Sequence, residues 1–289
     1  MKKVGRIGMA CLAAFTVGAA GAEGGLDRIR VRGQINVGYR EDAAPFSYLD
    51  AQGKPQGYSL EFCNAVVAQV LAQPGMSKLR VQMVSVPVDG VLKFMKSGTV
   101  DLLCSSTSDT PERRKVMAFS RPIFIDGVSI MVRKADSVTT LADLGMGPVA
   151  AIKSTTAPAA LSAAAPAIKI APVLNGDAGV GQLKLQWAKG FARDRVLLAM
   201  QRAQLSDANE FIILPDLLST ETIAIAVPLA SDDLLALANK TFADAATAGR
   251  VNAWHKRWFE EPVVLNGRSI TLNLPVSAEL KALLGNTRQ

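Results

Sequence analysis

The chain is expected to fold as an α/β protein of two lobes, each a central, mostly parallel sheet flanked by helices, joined by a two-stranded hinge. Three observations predict this. Short apolar runs of strand length alternate with segments of helical periodicity, the pattern of a sheet covered on both faces. That alternation runs to about residue 131, restarts, and then resumes near residue 223. The chain also has 289 residues, more than one hydrophobic core ordinarily organises.

The first residues stand apart from this pattern. Lys2, Lys3 and Arg6 precede an apolar run over 7–17 and then Ala20, Gly21 and Ala22, the layout of an export signal cleaved after Ala22. The run is shorter than the roughly 20 residues a membrane helix needs. Gly8, Met9 and Ala10 before Cys11 argue against a lipid-attachment site. Loss of residues 1–22 takes the formal charge from +7 to +4. No basic run accompanies that mild excess, so nucleic acid is not an expected partner.

Residues 34–39 alternate around Ile35 and Val37 as a strand, and 50–53 form a hairpin turn. Over 59–71, Leu60, Phe62, Cys63, Val66, Val67, Val70 and Leu71 recur at helical spacing after Ser59 as N-cap. A strand over 79–86, a short helix over 90–96 and a buried strand over 100–104 follow, then an extended apolar segment over 123–133. The second lobe, 132–222, is read as helix-like 141–144, strand 149–152, Ala-rich helix 157–164, strand 168–173, helices 180–187 and 195–202, and strand 211–214. The first lobe, 23–131 and 223–289, is completed by strand 223–227 and helices 232–248 and 252–259. Two passes through the hinge would let the lobes close on a ligand.

Export leaves Cys63 and Cys104 where disulfides persist; a bridge and two separately buried thiols both fit. His255 is the single histidine, and neither cysteine sits at metal-ligand spacing. No metal, cofactor or His-based triad is therefore expected. Trp254 and Trp258, four apart, should pack the terminal helix, with His255 between them facing water.

In such sheets ligands bind outside the carboxyl ends of strands, which singles out four loops. One carries Arg40. A second runs from Cys104 through Ser105, Ser106, Thr107 and Ser108 to Pro111, Glu112 and Arg113. There, Pro111 and Glu112 are read as opening a helix whose free N–H groups and dipole favour an anion, and Arg113 offers a planar fork to a carboxylate. The plainer alternative is that these residues only cap and solvate a helix start. Lys153, Ser154, Thr155 and Thr156 form the third loop, with hydroxyls suited to the same anion or to an ordinary N-cap. The fourth brings Asp194, the complement of an ammonium group.

At these residues the chain resembles the periplasmic polar amino-acid-binding proteins of ABC transporters, bacterial extracellular solute-binding protein family 3, and within them the glutamate/aspartate-binding branch. The similar stretches are GYREDAAPFSYLDAQGKPQGYS at 38–59, SGTVDLLCSSTSDTPERRKVMAFSRPIF at 97–124, LADLG at 141–145 and the tail from 254 to 284. Glu112, Arg113, Ala118, Phe119 and Ser120 carry the family pattern; Lys256, Trp258, Phe259, Leu272, Asn273 and Leu274 carry that of the acidic branch.

The resemblance implies a type II periplasmic binding fold, residence in the periplasm, a monomer, and non-enzymatic delivery of an amino acid to an inner-membrane permease. It implies that Arg113 binds the α-carboxylate, Ser106 and Ser108 line the same pocket, and Thr155 and Thr156 contact it from the second lobe. Asp194 would receive the α-ammonium, Tyr58 would form apolar wall, and Arg40 would read the side chain, favouring a distal carboxylate. Val88 and Val91 depart from the branch's Ser and Arg, and Asn175 from its His. Two valines leave a buried distal carboxylate poorly compensated, so backbone recognition is expected to persist while side-chain recognition changes. Two other functions fit the same clamp: an accessory binding protein of a periplasmic enzyme system, and a dehydratase of cyclic acids. The latter would have only Glu41, Asp42 and Asp194 as acid or base.

Overall fold

The computed structural model describes residues 24–285; the export signal expected at 1–22 lies outside them. Two five-stranded sheets carry the fold. The first is ordered Arg80–Ser85, Gln34–Tyr39, Leu102–Cys104, Glu221–Pro228, Met117–Asp126. In the second the order is Ile170–Val173, Val149–Ile152, Gly190–Asp194, Val128–Arg133, Phe211–Ile213. Each begins with three mutually parallel strands followed by two antiparallel pairings. Four strands of each sheet therefore run one way and one is reversed, the same plan twice.

The chain passes from the first sheet to the second at Gly127 and returns between Ile213 and Glu221. The sequence placed these crossings near 132 and 222, because 123–133 reads as one apolar run. Gly127 divides it. A Cβ there would collide with the Ser219 carbonyl oxygen on the returning segment, so the absence of a side chain is what lets the two passes lie together. Val128 N–H donates to Ser219 Oγ at 3.1 Å, and Leu218 N–H to the Val128 carbonyl at 2.7 Å.

Helix Tyr58–Leu71 lays Leu60, Phe62, Val66 and Val70 into the first-lobe core. It begins after Gly57, not at Ser59; the Ser59 hydroxyl donates instead to the Ser105 carbonyl at 2.9 Å. Cys63 on that helix is disulfide-bonded to Cys104 at the end of its strand, with Cα atoms 6.2 Å apart. Together these links pin the start of the Ser105–Ser108 loop to the helix. The core also takes in Val196, Leu197 and Met200 of helix Arg195–Gln204, which follows the second lobe's sheet. Each such side chain contributes about 1.5–3 kcal/mol by burial, so the lobes share an apolar contact.

Two local readings change. The helix expected over 180–187 starts and ends earlier, at Gly176–Lys184, and its glycines disguise its first turn. His255 is 1% exposed rather than solvated. It is the last residue of helix Arg250–His255, on the buried face it shares with Val251, just before π-helical Lys256–Glu260. There its ring lies stacked on Phe124 and tilted against Phe259. No helix among the described residues is long and apolar enough to cross a membrane.

Candidate functional site

All four loops singled out in the sequence leave the carboxyl ends of parallel strands and face one another between the sheets. They enclose a cavity of about 20 Å³ lined by Arg40, Ser106, Ser108, Arg113, Ile152, Thr155, Thr156, Arg193, Asp194 and Leu197. That volume holds about one water molecule.

Tyr58 and Asn175 lie elsewhere. Tyr58 is fully buried in the first-lobe core, edge-on to Phe46, Phe62 and Phe259, and its hydroxyl donates to the Ile123 carbonyl at 2.9 Å. It forms no wall of the cavity because it opens a helix whose start points into the aromatic core. Asn175 caps helix Gly176–Lys184, its Oδ1 accepting from Ala178 N–H at 2.9 Å. It borders two outer cavities instead.

Arg113 opens only a three-residue 3-10 turn, Arg113–Lys115, where the sequence suggested a helix. Strand Met117–Asp126 begins too soon for more, so no helix start on its own segment backs the guanidinium. Its Nη1 donates to the Ser108 carbonyl at 2.9 Å, which aims it along the loop. Burial lowers its pKa, while Asp194 and Glu221 favour its charge. The hydroxyls of Ser105 and Ser106 are buried without a hydrogen-bond partner among the described residues, a costly arrangement, and of the two Ser106 lines the cavity, where a ligand group can meet it.

From the second lobe, the Thr155 hydroxyl donates to the Ile152 carbonyl at 2.7 Å, and the Thr156 hydroxyl to Glu221 Oε2 at 2.9 Å. Glu221 sits at the return crossing, so the Thr156 bond spans the two sheets. Asp194 precedes helix Arg195–Gln204 yet does not cap it. Its carboxyl is pushed up to about 6, chiefly by burial and then by Glu221, against the pull of Arg193, Arg40 and Arg113. Asp126 beside the first crossing rises to about 7, again chiefly by burial and then by Asp194. Its Oδ2 accepts from Val196 N–H at 3.0 Å.

Arg40 is 7% exposed, and its Nε and Nη2 both reach Asp42 Oδ1, at 2.9 and 2.6 Å. Arg193 was not among the residues assigned a role from sequence. Its guanidinium is buried between the lobes: Nη2 donates to the Asp42 main-chain carbonyl at 2.8 Å and Nη1 to Gln201 Oε1 at 2.9 Å. A signal existed, since an arginine inside the apolar strand Gly190–Asp194 is a buried charge that requires a reason. Val91 belongs to a separate apolar cluster. Val88 borders an outer cavity of about 440 Å³ with Lys153, Ser154 and Asn175.

The arrangement therefore sets anion donors from the first lobe opposite an anionic acceptor from the second. Comparison with known proteins agrees in kind. The family model for bacterial extracellular solute-binding proteins, family 3, matches residues 35–261. The glutamate/aspartate import solute-binding protein of Salmonella typhimurium is 30% identical over 92% of this chain and 89% of its own length. The L-glutamate/L-aspartate-binding protein of Pseudomonas aeruginosa is 28% identical over 96% and 93%. Among solved structures, the solute receptor for L-cysteine of Neisseria gonorrhoeae superposes with a TM-score of 0.71 at 27% identity, covering 81% of this chain and 92% of that one. The T. maritima arginine-binding ArgBP mutant P235GK superposes at 0.70 with 26% identity over 81% and 98%. The chain belongs to the bacterial extracellular solute-binding proteins, family 3.

Proposed function

We propose that this protein binds an α-amino acid between its lobes in the periplasm and delivers it as a monomer to an ABC importer in the inner membrane. The carrying observation is the convergence of Arg113, the unpartnered Ser106 hydroxyl and Asp194 on one cavity. Arg113 and Ser106 complement an α-carboxylate, and Asp194 an α-ammonium, each through charge-assisted bonds. Thr155 and Thr156 border the cavity from the facing lobe with their hydroxyl protons engaged by Ile152 and Glu221, which leaves them as acceptors, and Ser108 holds Arg113 in place. The first lobe in this reading comprises 24–126 and 221–285 and the second 128–219. Because the cavity is far smaller than an amino acid, entry requires the lobes to part about the paired crossings and to close again. Relatives named for glutamate and aspartate favour an acidic side chain, for which Arg40 is placed.

Titration calorimetry against the common amino acids tests this. At least one α-amino acid should bind at micromolar Kd or better, and Arg113→Met should weaken it by about 100-fold, the loss of a bidentate charge-assisted pair. No binding of any amino acid, with capture of a periplasmic enzyme instead, would favour the accessory reading. Conversion of a cyclic acid would favour the dehydratase one.

A further inference from the structure

We propose that Arg193 is a further specificity residue of this site: from the second lobe it adds a guanidinium beside Arg40 that selects a carboxylate at the far end of the ligand, and Asp42 positions both groups. This rests on the amino-acid reading of the cavity. Among the described residues Arg193 makes no ion pair; its partners, the Asp42 main-chain carbonyl and Gln201 Oε1, are both neutral. A guanidinium 5% exposed with only neutral acceptors is a buried charge in want of an anion. Two of its five N–H donors are engaged, which leaves an edge for a ligand.

Arg193 is also fixed in place. A Cβ on Gly176 would lie 2.5 Å from its Nη1 and 2.6 Å from Gln201 Nε2, so the pair fills the space that glycine leaves. Arg40 is turned the same way by Asp42 Oδ1, which takes its Nε and Nη2 and leaves Nη1 unbonded. One residue thus organises both cations, through its carboxylate on one lobe and its main-chain oxygen toward the other. Arg40 is already paired with Asp42, whereas Arg193 has no acid within ion-pair distance among the described residues. Asp194 is committed to the ammonium. Glu221 acts on Asp194 and Arg113 and does not weigh on Arg193, where Asp42, Asp194 and Asp177 are the acidic neighbours.

The test compares L-glutamate with its neutral isostere L-glutamine by calorimetry on the full mature protein. Wild type should favour glutamate at least about tenfold. Arg193→Met should weaken glutamate by about 30-fold or more while glutamine changes less than about threefold. Asp42→Asn should lower the glutamate preference without abolishing binding. Equal losses for both ligands in R193M would overturn the proposal, because Arg193 would then serve lobe closure alone; an unchanged ratio would overturn it too. If R193M fails to fold by circular dichroism, Arg40→Met carries the same ratio test. Wild type binding glutamine as well as glutamate would sink the dicarboxylate subsite and leave the amino-acid reading standing. Binding neither, nor any other amino acid, would sink both.

Discussion

Affinity should fall on acidification with the titration of one residue, Asp194. Its carboxyl is displaced upward to about 6 because burial and Glu221 oppose the charged form. The ligand ammonium needs that charged form. The sign follows: binding is strongest above the Asp194 pKa and weakens as pH falls through it. With a midpoint at 6, affinity should drop to about half its plateau at pH 6 and to about a tenth at pH 5. Over that window the ligand's own α-carboxylate and ammonium keep their charges, and its side-chain carboxylate stays mostly ionised, with a small loss near pH 5 that D194N shares. Asp194→Asn retains the size and one acceptor oxygen but cannot pair ionically. It should cost about 1.5–3 kcal/mol, a loss of about 10- to 150-fold at pH 7.5, and the slope between pH 5 and 8 should shrink to that shared loss. Calorimetry with glutamate across that range, wild type beside D194N, reads both quantities. A flat wild-type profile would refute the assignment, and so would a D194N profile that keeps the wild-type slope, since the titrating group would then lie elsewhere.

Two further outcomes concern stability. The Cys63–Cys104 bridge spans 41 residues, and in the chain-entropy account its removal by Cys63→Ser with Cys104→Ser costs about 4 kcal/mol; urea unfolding showing less than about 1 kcal/mol would contradict that. Asp126, raised to about 7 by burial, keeps a proton in the folded protein that the unfolded chain has already released. Folding stability should therefore decline by about 2 kcal/mol as pH rises from 5 to 7. Asp126→Asn, which can still accept from Val196 N–H, should remove that share and leave the smaller decline due to Asp194; equal melting-temperature slopes for the two proteins would refute it.

The architecture was legible wherever a segment's apolar spacing had one structural solution. Strand Gln34–Tyr39 and helix Asp232–Thr247 follow their patterns to within a residue. Where local signals were ambiguous, tertiary context decided. Pro111 and Glu112 look like a helix start, yet only one turn fits before the next strand. His255 is followed by charged residues in sequence, but it shares the buried face of its helix with Val251 and packs on Phe124 and Phe259. Helix Gly25–Arg32 went unread, since two glycines open it and Ile29 and Gly25 alone are buried along it. In the site, hydroxyls and charges at strand ends pointed to Ser106, Ser108, Arg113, Thr155, Thr156 and Asp194, all of which line one cavity. Tyr58 sits on the right element with its side chain aimed the other way. Arg193 was overshadowed by its neighbour Asp194, and its meaning depends on Gln201 and Asp42, one eight residues away and the other 151, a juxtaposition that only the folded chain reveals.

The bond from Arg193 to residue 42 has an evolutionary consequence. Its acceptor is a peptide oxygen, which every amino acid possesses, so no substitution at position 42 deletes it. The carboxylate that steers Arg40, by contrast, disappears with a single codon change. Selectivity at this clamp can therefore drift through position 42 while the contact that brings the lobes together is inherited intact. Divergent relatives of this chain should accordingly vary in cargo more readily than in their ability to close.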